Sequence, residues 1–316
     1  MTQASNAGRS HATLSVLTYN IEGLAWPART GRSPALHAIG EQFAALRQSG
    51  AAPDVVMVQE MFSGPAKAAV AATGYPAIVS DPRRSTASQP TGLAPLPGKA
   101  RLKRGELGLR FMGSGLAIAS RYPIIDSDLR AYGKRSCAGF DCLANKGILL
   151  ARISIPGVPT PVDLYDTHLN ARRASRAPAE RNLAAHDRQT AEAAEFMAQT
   201  SRAGHPIIFG GDFNMRRSPE RWDNFSRYHA LRLVHQACMA RGSGCDVKMS
   251  WDGDAPWMDT QDLQFFASGD RVDVSPIRVE AMFDGSPTSP KLSDHDGFLV
   301  TYQLSWSPGI IASQRC

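Results

Sequence analysis

Five segments of the chain set side chains that could do chemistry at the ends of apolar runs, four after a run and one before. "LTYN" stops at Asn20 and "VVMVQE" at Gln59 and Glu60. "LYDTHLN" ends in Thr167, His168 and Asn170, and "IIFGGDFN" in Asp212 and Asn214. A turn, "SDH", sets Ser293, Asp294 and His295 ahead of the last apolar run. One carboxylate at a strand end is an ordinary solvated turn residue. A whole set of them is expected of a site assembled from loops at one edge of a rigid sheet core. Asp, Glu and Asn offer hard oxygen ligands, which suit Mg2+ (or Mn2+ or another divalent cation) rather than zinc. A neutral His beside a carboxylate can take a proton from water near neutral pH. A second His with Asn amides can hydrogen-bond a phosphoryl oxygen as charge develops on it. Metal, base and phosphoryl clamp together describe hydrolysis of a phosphate ester.

Rigid elements must carry these groups. The patterns predict strands at 13–21, 53–62, 114–120, 146–155, 160–171, 205–214, 262–269 and 297–304. They predict helices at 35–50 and 64–74, each with a Gly stop, and at 178–204. Residues 80–110 are rich in Pro, Gly and Ser and then strongly basic, so they read as a long, exposed, mobile excursion. Strands and helices alternate along the length with no clean linker, which argues for one α/β domain over 13–306. A flexible N-terminus (1–12) and a C-terminal tail (307–316) would flank it.

At 316 residues, with 43% hydrophobic and 20% charged residues, the composition is that of a soluble globular protein. No apolar run reaches the roughly 20 residues that span a bilayer. The first residues lack a signal-peptide core. A formal charge of +6 favours phosphate-bearing partners. Cys137 and Cys142, and Cys238 and Cys245, are close pairs across Gly-containing loops, with Cys316 left over. Local disulfides would imply an oxidising compartment; free thiols in a reduced cytosol are the alternative. The spacing of a zinc site is missing.

In order, "LTYNIEGL", "VVMVQEMF", "SGLAIASRYPI", "YDTHLNA", "IIFGGDFNM" and "SDHDGFLV" resemble the motifs of the endonuclease/exonuclease/phosphatase superfamily, with its DNase-like fold. They extend from residue 15 to 304. The resemblance implies an α/β (α+β) four-layered sandwich, two mixed β-sheets flanked by helices, with the site at one rim. It implies Glu60 as principal metal ligand, supported by Asn20 and Asp294. His295 would be the general base or proton relay, Asp212 would orient the attacking water, and Asn214 would contact the scissile phosphate. His168 and Asn170 would stabilise the pentavalent transition state. In relatives an Asp-aromatic dipeptide ahead of "SDH" holds the catalytic His. Asp262 of "QDLQFF" matches it, with Leu263 in place of the aromatic residue. The paired glycines of "IIFGGDFN" are expected to keep side chains off the rim that a phosphate approaches.

Within the superfamily, Thr167–His168 and the "NKG" segment with Lys146–Gly147 resemble bacterial and neutral sphingomyelinases. The expected activity is therefore Mg2+-dependent phosphodiester hydrolysis of sphingomyelinase or phospholipase C type. Cleavage of DNA or RNA by the same site is the alternative, and a non-catalytic binding module the third reading. Basic clusters at Arg83, Arg84, Arg101, Lys103, Arg104 and Arg110, and at Arg172, Arg173, Arg176 and Arg181, suit either a solvated face, an anionic membrane surface or a nucleic-acid backbone. Trp251, Trp257 and Met258 could form an interfacial apolar rim or core packing. A secreted or periplasmic monomer is expected, touching membrane at most peripherally.

Overall fold

The computed structural model describes residues 8–24, 29–81, 94–101, 105–106, 112–249, 260, 262–286 and 290–307. The tryptophans at 251 and 257, Met258 and most of the basic excursion lie outside them. Within them, the apolar runs become two mixed sheets. The first contains β1 (Ser10–Asn20), β2 (Val55–Gln59), β3 (Ala77–Ser80), β4 (Ala117–Ser120), β10 (Asp246–Lys248), β12 (Asp273–Met282) and β13 (Gly297–Trp306), in the order β10-β12-β13-β1-β2-β4-β3. The second contains β5 (Ile124–Ala131), β6 (Gly147–Ile153), β7 (Val162–His168), β8 (Ile207–Asp212), β9 (Arg232–Leu233) and β11 (Asp262–Ala267), in the order β5-β6-β7-β8-β11-β9. Each sheet has a parallel pair near its middle, β1 with β2 and β7 with β8, flanked by antiparallel partners β13 and β11. A parallel pair places two strand ends on the same edge, and its antiparallel neighbour begins there. That geometry delivers the site.

Helices complete four layers. Leu36, Ile39 and Phe43 of α1 (Ser33–Ser49) and Ala66, Ala69 and Val70 of α2 (Gly64–Ala71) pack on Leu17, Tyr19, Val56 and Val58 of the first sheet. Phe196 of α3 (Ala179–Thr200) and Phe225 of α4 (Pro219–Tyr228) pack on Ile148, Leu150, Tyr165, Phe209 and Phe265 of the second. Between the sheets lie Val16, Val55 and Val300 facing Leu164, Ile208 and Phe266, joined by Val234 and Cys238 of α5 (Val234–Met239). Gly50 ends α1 in the left-handed conformation, its amide bonding to Arg47 O.

The strand period of two explains where the polar groups go. Val16, Leu164, Ile208 and Phe266 face the interlayer core. Two residues along the same faces come Thr18, Asp166, Gly210 and Gln264, and two further come Asn20, His168, Asp212 and Asp262, all buried. The interlayer therefore grades from apolar to polar towards one edge. Close approach depends on glycine. A Cβ on Gly211 (φ 150°) would lie 2.1 Å from Thr167 O of β7, and one on Gly210 2.6 Å from Thr18 Oγ1. The paired glycines thus allow the strands and sheets to pack, instead of clearing the rim as their position at the end of an apolar run suggests.

The excursion is anchored where it is described. Arg181, 8% exposed, donates to Leu96 O, Pro97 O and Gly98 O at 3.0–3.3 Å and to Glu106, so it is a buried clamp and not part of an exposed basic face. Two disulfides, Cys137–Cys142 and Cys238–Cys245, are formed. No described helix is long and apolar enough to cross a membrane.

Gly211→Ala should destabilise the fold by about 1–3 kcal/mol, because β7 and β8 cannot separate without moving the site edge. Thermal unfolding and turnover should fall together; an unchanged melting temperature would show that this strand contact is not tight.

Candidate active site

Three side chains stand in one row of the second sheet, because the register pairs His168 with Asp212 and Asp212 with Asp262. The first sheet meets that row through Asn20, whose Nδ2 donates to Asp212 Oδ2 (3.0 Å) and to Glu60 Oε1 (3.3 Å). Asp212, 2% exposed, is the hub. Its Oδ2 also lies 3.3 Å from His168 Nε2 and 3.8 Å from His295 Nε2, while Oδ1 accepts from the Asn214 amide at 3.0 Å. Six of the expected residues, Asn20, Glu60, His168, Asp212, Asp262 and His295, are thus brought together from both sheets. Asn214 sits beside them, with its side-chain amide donating to Leu169 O at 3.1 Å. Glu60 (φ 62°) and Asn214 (φ 52°) both adopt left-handed backbone, strained for residues with a Cβ, as happens where surrounding structure fixes a functional group.

His295 hydrogen-bonds Asp262 Oδ2 through Nδ1 at 2.5 Å, leaving Nε2 towards Asp212. Leu263 is buried in the aromatic cluster under the second sheet, so the substitution at the usual aromatic position does not disturb this pairing. Burial opposes charge on His295, yet the Asp262 and Asp212 carboxylates hold its pKa well above the ordinary imidazole range. His168 goes the other way. Burial, with Lys146 and His295 adding, pushes its pKa well below that range and keeps the ring neutral. Burial lifts Glu60 to about 7, with Lys146 and the Asn20 hydrogen bond opposing.

Two expected residues are placed differently. The side chain of Asn170 is consumed locally: Oδ1 accepts from Ala138 N at 3.0 Å, and Nδ2 donates to Ala171 O and Asn182 Oδ1 at 3.1 and 3.4 Å. It holds the loop under the site. Asp294, with a side chain 56% exposed, faces Arg29 at 3.5 Å and the His295 ring edge at 4.0 Å, and has no described contact with Glu60 or Asn20.

Two unexpected residues shape the site. Lys146, 6% exposed, places Nζ 2.9 Å from His168 Nε2, 3.0 Å from Asp141 Oδ2 and 3.0 Å from Leu169 O. Two of its protons match Asp141 Oδ2 and Leu169 O, and the third faces His168 Nε2, which also lies against Asp212 Oδ2. The "NKG" segment signalled it, although a turn lysine gives no sign of burial. Arg221, 1% exposed, donates to Asn170 O (2.7 Å) and Asn214 O (2.8 Å) from α4; nothing in the sequence distinguishes it from a surface arginine.

A divalent cation can be tested against these residues. Glu60 Oε2 is buried and without a partner, as a carboxylate awaiting a cation would be, while the Asn20 amide nitrogen holds Oε1 and Asn20 Oδ1 accepts from Glu22 N. Asp212, Asp262 and His295 also converge within 4.8 Å. There, however, His295 Nδ1 is already spent on Asp262, an arrangement that orients a base. The donor set at Glu60 fits a hard cation; the second cluster fits proton transfer.

The sequence model of the Endonuclease/Exonuclease/phosphatase family matches residues 17–295. The chain belongs to that family. No curated protein sequence matches. Among solved structures, Sphingomyelinase C from Streptomyces griseocarneus is similar at a TM-score of 0.63 and 19% identity, covering 92% of this chain and 99% of its own. Beta toxin from Staphylococcus aureus, in a mutant with bound magnesium ions, gives 0.60 and 16%, covering 94% and 100%. TDP2 of D. rerio, complexed with single strand DNA product, gives 0.59 and 15%, covering 92% and 99%. At these identities the likenesses show the fold alone, the four-layered sandwich expected from the sequence. Family membership supports phosphodiester hydrolysis in general.

Asp262→Asn removes the anion that holds the proton on His295. The acid limb of the activity profile should therefore move to lower pH, while turnover falls on the order of 10²-fold or more. A limb left in place would remove Asp262 from this role.

Proposed function

We propose that the chain is a divalent-cation-dependent phosphodiesterase of sphingomyelinase or phospholipase C type, releasing phosphocholine when the lipid is sphingomyelin. The observation that carries the lipid reading is Lys146. The segment that resembles the "NKG" strand of sphingomyelinases does not make a surface turn but sends its ammonium group to His168, inside the site.

Glu60 and Asn20 would hold Mg2+; Asp294 could join them only by giving up Arg29. The bound ion would neutralise charge on a phosphoryl oxygen. In its unprotonated form, His295 Nε2 takes the proton of the attacking water as its oxygen bonds to phosphorus, and Asp212 Oδ2, facing the same nitrogen, orients that water. The bond from phosphorus to the leaving oxygen breaks, the leaving oxygen takes a proton from water on the opposite face, and His295 releases its proton to solvent. Asn214, held by Arg221 and Leu169, keeps one side-chain N–H for the phosphate. Lys146 fixes the His168 ring, and its charge stands near the oxygens that become more negative. The two disulfides support an oxidising, extracellular or periplasmic setting.

A second reading, a nuclease, is favoured by one feature. Arg172, Arg173 and Arg176 follow Asn170, and Arg216 and Arg217 follow Asn214; Arg172 Nη1 donates to Arg217 O at 2.7 Å, and Arg176 lies over exposed Phe140 at 5.7 Å. Arginines around an aromatic ring suit a single-stranded backbone with a stacked base.

Sphingomyelin, lysophospholipid and plasmid DNA, each with Mg2+ and with EDTA, decide between the readings. Phosphocholine release that stops with EDTA is expected; DNA cleavage without it would move the chain to the nuclease reading, and no turnover of any substrate would contradict both. Because protonated Glu60 cannot ligate, the Mg2+ needed for half-maximal rate should rise as pH falls below about 7, and Glu60→Gln should raise it at every pH.

A further inference from the structure

Behind the catalytic row lies a carboxyl group that the mechanism does not use. Asp166 of β7 is fully buried, two residues before His168 on the same strand face. Across the interlayer, Gln59 of β2, also fully buried and one residue before Glu60, donates from Nε2 to Asp166 Oδ1 at 2.6 Å. This bond ties the strand that delivers the metal ligand to the strand that delivers the phosphoryl clamp.

The remaining oxygens of the pair pose the problem. Asp166 Oδ2 and Gln59 Oε1 are both buried without a partner. Both would be bare acceptors if Asp166 were ionised, and a buried acceptor left unsatisfied costs about 1–3 kcal/mol. The Thr18 hydroxyl, in the same layer, bonds to neither. Among the described residues, the charged and titratable groups that act on Asp166 are Asp212 of β8, Asp262 of β11 and the Tyr132 hydroxyl; none supplies a positive charge. A single proton on Asp166 converts one of the two bare acceptors into a donor for the other.

We propose that Asp166 is a neutral carboxylic acid in the folded chain, paired reciprocally with the Gln59 amide, and that this cross-sheet pair positions Glu60 and His168. Gln59 N–H donates to one carboxyl oxygen, and the acid O–H donates back to Gln59 Oε1. Burial lifts the Asp166 pKa well above the carboxylate range, the Gln59 and Thr167 hydrogen bonds oppose it, and Asp262 and Asp212 reinforce it. The pair is a positioning device, since neither side chain reaches the phosphate. Its protonation does not depend on the phosphodiesterase reading; its effect on turnover does.

Asp166→Asn keeps two reciprocal hydrogen bonds, amide to amide, whereas Asp166→Ala breaks them. The infrared difference spectrum of the wild type minus Asp166→Asn near neutral pH should contain the C=O stretch of a buried protonated carboxyl group, the Glu60 contribution common to both cancelling. The unfolded chain releases this proton near pH 4 and the folded chain only well above it, so Asp166 gives up stability as pH rises from about 4 towards its folded pKa. Relative to Asp166→Asn, the wild type should therefore lose melting temperature steadily over that interval. With a chromogenic phosphodiester, Asp166→Asn should keep kcat within about threefold, and Asp166→Ala should lose about tenfold to a hundredfold in kcat with little change in KM. If the wild type turns over no phosphodiester, the His168 imidazole resonances replace kcat: they should move in Asp166→Ala and stay in Asp166→Asn. An ionised Asp166, with no carboxylic band in that difference spectrum and no widening gap in melting temperature, overturns the protonation. Equal effects of Asn and Ala on kcat or on His168 overturn the positioning.

Discussion

The Asp212 carboxylate is the point on which the site depends. It is buried at the end of β8, in register with His168 and Asp262 on its own sheet, and it accepts a hydrogen bond from Asn20 on the other. A carboxylate so removed from water is costly unless its oxygens are satisfied, and here both are, by Asn20 and by the Asn214 amide. The same contacts fix the separation of the sheets at this edge. Glu60 then has its distance from His295 set by the sandwich, and the loops need only hold side chains in place.

The rest of the structure supports this edge in three ways. The interlayer changes from Val, Leu, Ile and Phe to Thr, Asp, Gly and Gln before the row of Asn20, His168, Asp212 and Asp262, so polarity is buried in steps. Glycines 210 and 211 let strand and sheet backbones approach where a Cβ would collide. From outside, α3 presents a buried polar face: Gln189 accepts from Asn170 N and donates to Ser136 O, and Asn182 donates to Ala171 O and Arg172 O. Arg221 of α4 reaches the same loops. The Asn170 and Asn214 side of the site is thus held by helices, and the Asp212, Asp262 and His168 side by strand register.

Much of this was legible in the sequence because strand alternation and strand-end polarity are local. The runs at 13–21, 205–214 and 262–269 became β1, β8 and β11, and helix 35–50 became α1 with its Gly50 stop. β5 and β12 were not legible: "IIDSDLRA" carries charge on an exposed face, and β12 contains Pro276 beside a register irregularity. α4 escaped because its sequence "PERWDNFSRY" is polar and its packing rests on Trp222 and Phe225. Among site residues, the motif order located Asn20, Glu60, His168, Asp212, Asp262 and His295. Asp294 carries the same chemistry on paper, but pairing with Arg29 depends on the conformation of two loops. The burial of Lys146, Arg221 and Asp166 is a tertiary fact. Such residue types are usually exposed, so composition argues against the positions they occupy.

The account divides the site into a cation-binding side on Glu60 and Asn20 and a proton-transfer side on Asp212, Asp262 and His295. Anomalous diffraction from crystals soaked in Mn2+ tests that division directly. The account predicts an Mn2+ peak on the Glu60 carboxylate, with the His295–Asp262 hydrogen bond intact. A peak enclosed by Asp212, Asp262 and His295, with Glu60 bare, would contradict it.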